Sequence, residues 1–127
     1  MAQSEFELIG RYFARLGAQR PDVRIGVGDD GAVLVPPASR ELVAVTDSLV
    51  EDVHFPKGSP PASIGHRAFA VNLSDIAAMG AEPAWALLAL TLPESDDAWL
   101  ERFARPRAIC AAATACPWSG ATPRGVP

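Results

Sequence analysis

The chain has 127 residues, of which 49% are hydrophobic and 20% are charged, and its formal net charge is −4. This length fits one small domain and excludes a complete two-domain enzyme, while the apolar fraction excludes intrinsic disorder. The first 101 residues hold all fifteen acidic residues and seven basic ones, a balance of −8, which argues against a nucleic-acid surface and suits the binding of hard cations.

The amino terminus predicts an amphipathic helix over residues 4–16. Ser4 and Glu7 have the S-x-x-E spacing of a capping box. Helical periodicity predicts a buried stripe formed by Phe6, Ile9, Phe13 and Leu16. Two short strands within residues 23–35 are predicted to flank the turn G-V-G-D-D-G. The apolar segment 41–47 then predicts a strand that is buried on both faces.

A loop over residues 48–61 leads to a predicted helix over residues 62–79, with Gly80 as its C-cap and a buried stripe formed by Ile64, Ala68, Val71 and Ala78. A strand is predicted over residues 84–92, followed by a helix with Ser95 as its N-cap. The inward-facing residues of this helix are predicted to be Trp99, Leu100 and Phe103. The element order α-β-β-β-α-β-α predicts an α/β fold.

Three carboxylate positions are candidates for a divalent metal site: the Asp29–Asp30 pair in the glycine-rich turn, Asp47 at the end of an apolar strand, and Asp75 in an apolar helix. A buried charge is costly without a partner, and Mg²⁺ prefers carboxylates together with water and phosphate oxygens. Each position also has a structural alternative: an ordinary turn for the pair, an Asx turn or helix cap for Asp47, and a buried hydrogen bond for Asp75.

His54 lies in the loop after the third predicted strand, where it is either a surface histidine or a substrate contact. The acidic amino-terminal segment predicts no signal peptide, and no apolar run reaches the roughly 18 residues needed to span a membrane. Both cysteines, Cys110 and Cys116, are therefore predicted to be free thiols. We expect a cytoplasmic protein.

Four segments together resemble the thiamine-monophosphate kinase family, which belongs to the aminoimidazole-ribonucleotide synthetase-like superfamily. They are E-F-E-L-I-G-R-Y-F, G-V-G-D-D-G-A-V-L, V-T-D-S-L-V-E-D-V-H-F and R-A-F-A-V-N-L-S-D-I-A-A-M-G-A-E-P, and the resemblance runs from residue 5 to residue 104. It implies transfer of the ATP γ-phosphoryl group to thiamine monophosphate, giving thiamine diphosphate and ADP, with several Mg²⁺ ions.

The resemblance also implies the roles of individual residues. The metal-binding positions of the family correspond to Asp30, Thr46, Asp47 and Asp75. Asp29 is a possible supporting residue, His54 corresponds to a contact with the thiamine substrate, and no side chain is implied as a catalytic base. The implied fold is the family's amino-terminal α/β domain, a mixed sheet with flanking helices that pairs sheet to sheet in a homodimer.

Beyond Arg105 the chain departs from the family pattern. The family continues to a strand that ends in G-G-D-T-T-R-G, with a further metal aspartate and ATP contacts, and then to a second domain. One back-translation of residues 117–127, read from its third base, gives V-V-G-G-D-T-T-R-G-P, so we interpret the tail as a shifted reading frame, with a genuinely divergent tail as the alternative.

These observations divide the chain into an incomplete ATP- and Mg²⁺-binding domain over residues 1–105 and a disordered, non-homologous tail over residues 106–127. We expect the chain to be weak or inactive as a kinase on its own. The alternative functions are a non-catalytic, dimerising module that binds nucleotide or Mg²⁺, and another member of the same superfamily, such as a selenophosphate synthetase or a hydrogenase-maturation protein.

Overall fold

A computed structural model of the chain describes residues 4–14, 20–94, 96–105 and 118–125. These residues form an α/β arrangement of three helices and four strands. The elements are α1 (Glu5–Leu8, continuing as a π-helix over Ile9–Phe13), β1 (Val23–Ile25), β2 (Val33–Leu34), α2 (Pro61–Ala78), β3 (Ala86–Leu92), α3 (Asp97–Ala104) and β4 (Trp118–Gly125). None of the helices among the described residues is long and apolar enough to cross a membrane.

The predicted capping box at the start of α1 is confirmed. The Ser4 amide donates to Glu7 Oε2 at 2.8 Å, and the Glu7 amide donates to Ser4 Oγ at 3.3 Å. The hydrogen bond from the Ser4 amide, helped by the Ser4 hydroxyl, holds the pKa of Glu7 below its usual value. Two amide groups that would lack partners at the helix start are therefore satisfied.

The buried face of α1 differs from the predicted stripe. Phe6 is 84% exposed, whereas Leu8 and Phe13 are buried. The helix widens after Leu8, and the Ala14 amide donates to the Ile9 carbonyl at 2.8 Å, a bond across five residues. A π-helical turn rotates later residues relative to an α-helix, so Leu8 and Phe13 share the inner face. Leu16 lies outside the described residues.

The two short strands around the Gly-Asp turn are confirmed. β1 pairs antiparallel with β2, with Val23 opposite Leu34 and Ile25 opposite Val33. Gly28 has a φ of +119°, a conformation that favours glycine and lets the chain reverse at this point. This pair forms a small antiparallel sheet.

The predicted strand over residues 41–47 is wrong. The structure has no strand there, and Leu42 is 63% exposed rather than buried on both faces. A strand needs a neighbour that accepts and donates its backbone hydrogen bonds, and no described strand pairs with this segment. The apolar pattern of residues 41–47 is therefore not sufficient to make a strand, because a strand also needs a partner that only the tertiary structure can supply.

The predicted long helix is confirmed as α2. It begins at Pro61, where a missing amide donor is tolerated, and Gly80 beyond its end has a φ of +68°. Ile64 is buried and Ala68 and Val71 are half-buried, but Ala78 is exposed, so the predicted stripe is wrong at its carboxyl-terminal end.

The core forms where α1, β3 and α3 meet. Leu8, Phe13 and Leu100 are its buried centre, and Leu88, Leu90 and Leu92 from β3 pack against them. Alternate residues of β3 face this core, as the strand period requires. Of the predicted inward-facing residues of α3, Leu100 and Phe103 are buried, and Trp99 stacks on Phe103 with ring centroids 4.9 Å apart.

The N-cap of α3 is Asp96, which accepts hydrogen bonds from the amides of Ala98 at 2.9 Å and Trp99 at 3.1 Å. Ser95, the predicted cap, lies outside the described residues. The prediction had the correct helix but chose the wrong one of two adjacent capping residues. Serine and aspartate are both good N-cap residues, so the residue type does not distinguish them. Asp96 is the cap because the first helical residue is Asp97.

The tail is predicted to be disordered, but its described residues, 118–125, form the strand β4. β4 pairs in parallel with β3 over the length of that strand, from Ala86 opposite Trp118 to Leu92 opposite Gly125. The described residues thus form two separate two-stranded sheets rather than one mixed sheet. Cys110 and Cys116 lie outside the described residues, and the division of the chain at residue 105 stays a prediction.

Two phenylalanines on α1 provide a matched test of its buried face. Phe13→Ala is expected to lower the free energy of unfolding by about 3–5 kcal/mol, because it leaves a cavity among buried residues. Phe6→Ala removes an equal volume from an exposed side chain and is expected to cost less than about 1 kcal/mol. Urea denaturation followed by circular dichroism measures both. Equal costs would show that the unrotated stripe, with Phe6 inside, is correct.

Candidate metal and substrate site

The glycine-rich turn between β1 and β2 holds the first candidate carboxylates. Asp29 and Asp30 are both exposed, and Asp29 Oδ1 accepts the Asp30 amide at 2.8 Å. The side chain of Asp29 thus helps to form the turn, as expected if the Asp29–Asp30 pair belongs to an ordinary turn. Asp30 accepts no such bond, so its carboxylate oxygens face solvent and are available to a ligand.

Thr46 and Asp47 lie in the irregular segment before the His54 loop, and both are exposed. Asp47 Oδ1 accepts the amide of Ser48 at 2.9 Å, a local bond that leaves the second carboxylate oxygen free. The argument that Asp47 is a costly charge at the end of a buried strand is therefore wrong. Asp47 remains a candidate only through its resemblance to a metal-binding position.

Asp75 lies on α2, and its side chain is exposed. Both physical interpretations of this residue, a buried charge that needs a cation and a buried hydrogen bond, are wrong. Asp75 lies about three turns beyond Ile64 on nearly the same side of α2, and it is exposed because it sits near the end of the helix, where Ala77 and Ala78 are exposed as well. Exposed carboxylates require no partner for stability, so burial gives no argument for a metal here.

The candidate carboxylates do not form a ready-made metal cage. Among the described residues there is no group of three or more His, Cys, Asp or Glu side chains that could hold a metal ion. Oxygen donors of this kind suit Mg²⁺, which binds proteins through one or two carboxylates and fills its other positions with water and phosphate. The described residues therefore supply suitable donors individually but do not assemble a protein-only site.

The His54 side chain has a defined partner in its own loop. The Val50 amide donates to His54 Nδ1 at 3.0 Å, and the His54 amide donates back to the Val50 carbonyl at 2.9 Å. A ring nitrogen that accepts a hydrogen bond carries no proton, so the proton of the neutral imidazole lies on Nε2. The exposed ring therefore presents an N–H donor to solvent or to a ligand.

Two residues that the sequence analysis did not single out hold this loop in shape. Asp52 has a φ of +62°, which is unusual for a residue other than glycine, and its Oδ1 accepts the Lys57 amide at 2.9 Å. From α2, Arg67 Nη1 donates to the His54 carbonyl. The aspartate at the turn could have been found from its Asx-turn propensity, but the sequence gives no signal for the contact from Arg67.

The sequence model for the family described as AIR synthase related protein, N-terminal domain, matches residues 28–122. This chain belongs to that family. The matched range covers the Gly-Asp turn, the His54 loop and α2, and it continues past Arg105 into β4. The predicted superfamily and the AIR synthase-like α/β fold are confirmed.

The similar proteins are thiamine-monophosphate kinases. The enzyme of Escherichia coli K12 is 54% identical over 103 residues, which are 81% of this chain and 32% of the relative. The enzyme of Haemophilus influenzae is 43% identical over 105 residues, 83% of this chain and 32% of the relative. The chain thus spans about a third of the length of these relatives, and the predicted resemblance to this kinase family is confirmed.

A crystal structure of thiamine-monophosphate kinase from Stenotrophomonas maltophilia K279a has the same fold. It superimposes with a TM-score of 0.80 at 42% sequence identity and covers 100% of this chain and 40% of the other. At 42% identity the two chains are similar in sequence as well as in fold. The roles of individual site residues stay predictions.

The interaction of His54 with Val50 predicts how substitutions change the loop. His54→Asn keeps an acceptor near the Nδ1 position, whereas His54→Ala removes it. The loss of one hydrogen bond of about 1 kcal/mol is expected to speed hydrogen exchange of the Val50 amide roughly fivefold in the alanine variant. NMR-detected exchange measures this rate. The Ser59 amide, which donates to the Pro56 carbonyl at 3.1 Å, is the internal control. An unchanged Val50 rate in His54→Ala would contradict the assigned tautomer.

Proposed function

We propose that this chain works as the amino-terminal domain of a thiamine-monophosphate kinase. The reaction transfers the γ-phosphoryl group of ATP to the phosphate of thiamine monophosphate and yields thiamine diphosphate and ADP. The observation that carries this proposal is the 54% identity to the Escherichia coli enzyme over 81% of this chain. The likeness to the Stenotrophomonas maltophilia enzyme in both fold and sequence supports it independently.

The chemistry of this reaction fits the charges of the chain. Two anionic phosphates must approach each other, so positioning and neutralisation by cations are the main requirements, and a side-chain base has little to do. Mg²⁺ bound at the carboxylates would supply that neutralisation. We propose Asp30, Asp47 and Asp75 as its ligands, with Thr46 beside them and Asp29 in support. Their exposure leaves them accessible to phosphate-bound metal ions.

His54 is proposed as a contact for thiamine monophosphate. Its Nε2–H is the free donor of the ring, because Nδ1 is engaged by the Val50 amide. The Asp52 turn and the contact from Arg67 fix the direction of that donor before substrate arrives. Such pre-organisation reduces the entropy cost of binding.

The chain is proposed to bind substrates better than it turns them over. It spans about a third of its relatives, so residues outside this range are expected to complete the site. Read in its own frame, the segment 119–125 is S-G-A-T-P-R-G, which agrees with the implied G-G-D-T-T-R-G motif at two of its three glycines, the first threonine and the arginine. In this register Ala121 stands opposite the motif's aspartate, so with either interpretation of the tail the chain has no carboxylate at this position.

Calorimetric titration with a non-hydrolysable ATP analogue tests the proposed metal site. We expect binding that requires Mg²⁺ and is weakened at least about tenfold by Asp47→Asn or Asp75→Asn, because removal of one charged ligand costs more than about 1.4 kcal/mol. Asp96→Asn is the matched control, because asparagine also caps helices well and this residue is not a proposed ligand.

Different results would separate the candidate functions. Metal-dependent binding of both the ATP analogue and thiamine monophosphate, with little or no ADP release, supports an amino-terminal part of the kinase. Metal-dependent nucleotide binding with no binding of thiamine monophosphate supports the alternative of a dimerising nucleotide- and Mg²⁺-binding module. Equal binding by the wild type and both aspartate variants would contradict the proposed ligands.

A homodimer is the proposed assembly, and an exposed apolar face supports it. Ile25 and Val33 are cross-strand neighbours on one face of the β1–β2 sheet, and Val35 continues that face two residues later. All three are exposed although they are large and apolar. We propose that a second copy covers this face, and that strands of both copies then form the mixed sheet expected for the family.

A charge on this face is expected to prevent dimerisation. Val33→Lys places an ammonium group where the proposed partner would bury it, and so is expected to shift the chain to monomer. Phe6→Lys introduces the same charge on α1, away from this face, and should leave the dimer intact. Sedimentation velocity at micromolar concentration measures the assembly. A monomeric wild type at that concentration would contradict the proposal.

A further inference from the structure

A pocket lies between α3 and the loop that leads from Glu51 into α2. Its volume is about 300 Å³, at the lower end of the range for small-molecule sites. None of the residues proposed for Mg²⁺ or thiamine monophosphate lines it. We call it the α3 pocket, and the lining residues that carry its chemistry are Glu51, Pro61, Ile64, Asp96, Trp99 and Arg102.

The α3 pocket carries charges of both signs. Glu51 and Asp96 provide carboxylates and Arg102 provides a guanidinium group, and all three residues are exposed. The ion pairs among the described residues include none of these three side chains. Asp96 accepts its two helix-capping amides through Oδ1, so these bonds leave Oδ2 for another donor. The pocket therefore offers charged groups that no other described side chain neutralises.

The opposite charges on α3 are held at a distance from each other. Arg102 follows Asp96 by six residues, which corresponds to about 9 Å along the axis of a helix. The last turn of a helix favours a cation, so Arg102 alone would not indicate a ligand. Its combination with two carboxylates around one pocket does, because a ligand with charges of both signs can bridge them.

An apolar wall lies between these charges. Ile64 is buried, and Pro61 and Trp99 are half-buried. The Trp99 ring is stacked on Phe103 with ring centroids 4.9 Å apart, so its position is fixed by the core. An aliphatic stem can pack against this wall, and the face of an indole ring attracts a nearby ammonium group.

We propose that the α3 pocket binds a free basic α-amino acid, of which lysine is the simplest. Lysine carries two ammonium groups and one carboxylate, the reverse of the two carboxylates and one guanidinium group of the pocket. The lysine carboxylate would pair with Arg102, a guanidinium group that can donate two parallel hydrogen bonds. The ammonium groups would pair with Glu51 and Asp96, and the aliphatic stem would lie against Ile64.

The charges of the pocket select this ligand over related molecules. A neutral amino acid would leave one carboxylate of the pocket without a partner, and a diamine would leave Arg102 without one. A polar group that loses water without gaining a partner weakens binding. A phosphate ester would bring its negative charge towards two carboxylates, which opposes binding.

Three matched probes separate the charged groups of the ligand. Norleucine is lysine without its side-chain ammonium group, and cadaverine is lysine without its carboxylate. The 127-residue chain is titrated with each of them and followed by NMR, in EDTA and without nucleotide. Lysine is expected to give saturable shifts at the amides of Glu51 and Trp99. Norleucine and cadaverine are each expected to bind at least about tenfold more weakly, since each lacks one charge-assisted contact.

Substitutions in the pocket test the same pairing from the side of the protein. Asp96→Asn keeps a good helix cap but removes a charge, and is expected to weaken lysine binding about tenfold. Arg102→Gln is expected to do the same for lysine but not for cadaverine, so the preference for lysine over cadaverine is lost. Glu101→Gln removes a charge from the same helix outside the pocket and should change the affinity less than twofold.

Several results would overturn the proposal. They are the absence of saturable lysine binding to the folded wild type, equal affinities of the wild type for lysine and cadaverine, and displacement of lysine by thiamine monophosphate. A preference for lysine that survives Arg102→Gln would also overturn it. Circular dichroism confirms the folding of each variant. Because the titration contains no metal, nucleotide or thiamine phosphate, its failure would leave the kinase proposal standing.

Discussion

The burial of Leu8, Phe13 and Leu100 is the interaction on which the other elements depend. These side chains join the first helix, β3 and α3 into one core, and full burial of each contributes about 1.5–3 kcal/mol of transfer free energy. The π-helical turn after Leu8 is what brings Phe13 to that core. The helix α2 packs against α3, and the hydrogen bond from Arg67 to the His54 carbonyl holds the His54 loop against α2.

The carboxylates show how a correct family assignment can coexist with a wrong physical argument. Buried charge was the reason to suspect metal at Asp47 and Asp75, yet both side chains are exposed. A phosphate-transfer enzyme has no need to bury such ligands, because the nucleotide and its metal ions arrive together and exclude water only when bound. Exposure is thus compatible with the proposed roles, although it gives no independent argument for them.

The sequence by itself determined the family, the capping box, the hairpin around the Gly-Asp turn and the extent of α2, because short-range hydrogen bonding, glycine positions and motif letters decide these features. Only the tertiary structure decided which face of α1 is buried, since a single π-turn changes the rotation of later residues. It also decided that residues 41–47 form no strand, because a strand exists only where a neighbour pairs with it. The contact from Arg67 to the His54 carbonyl likewise had no sequence signal, because two residues thirteen positions apart meet only after the loop has folded onto α2.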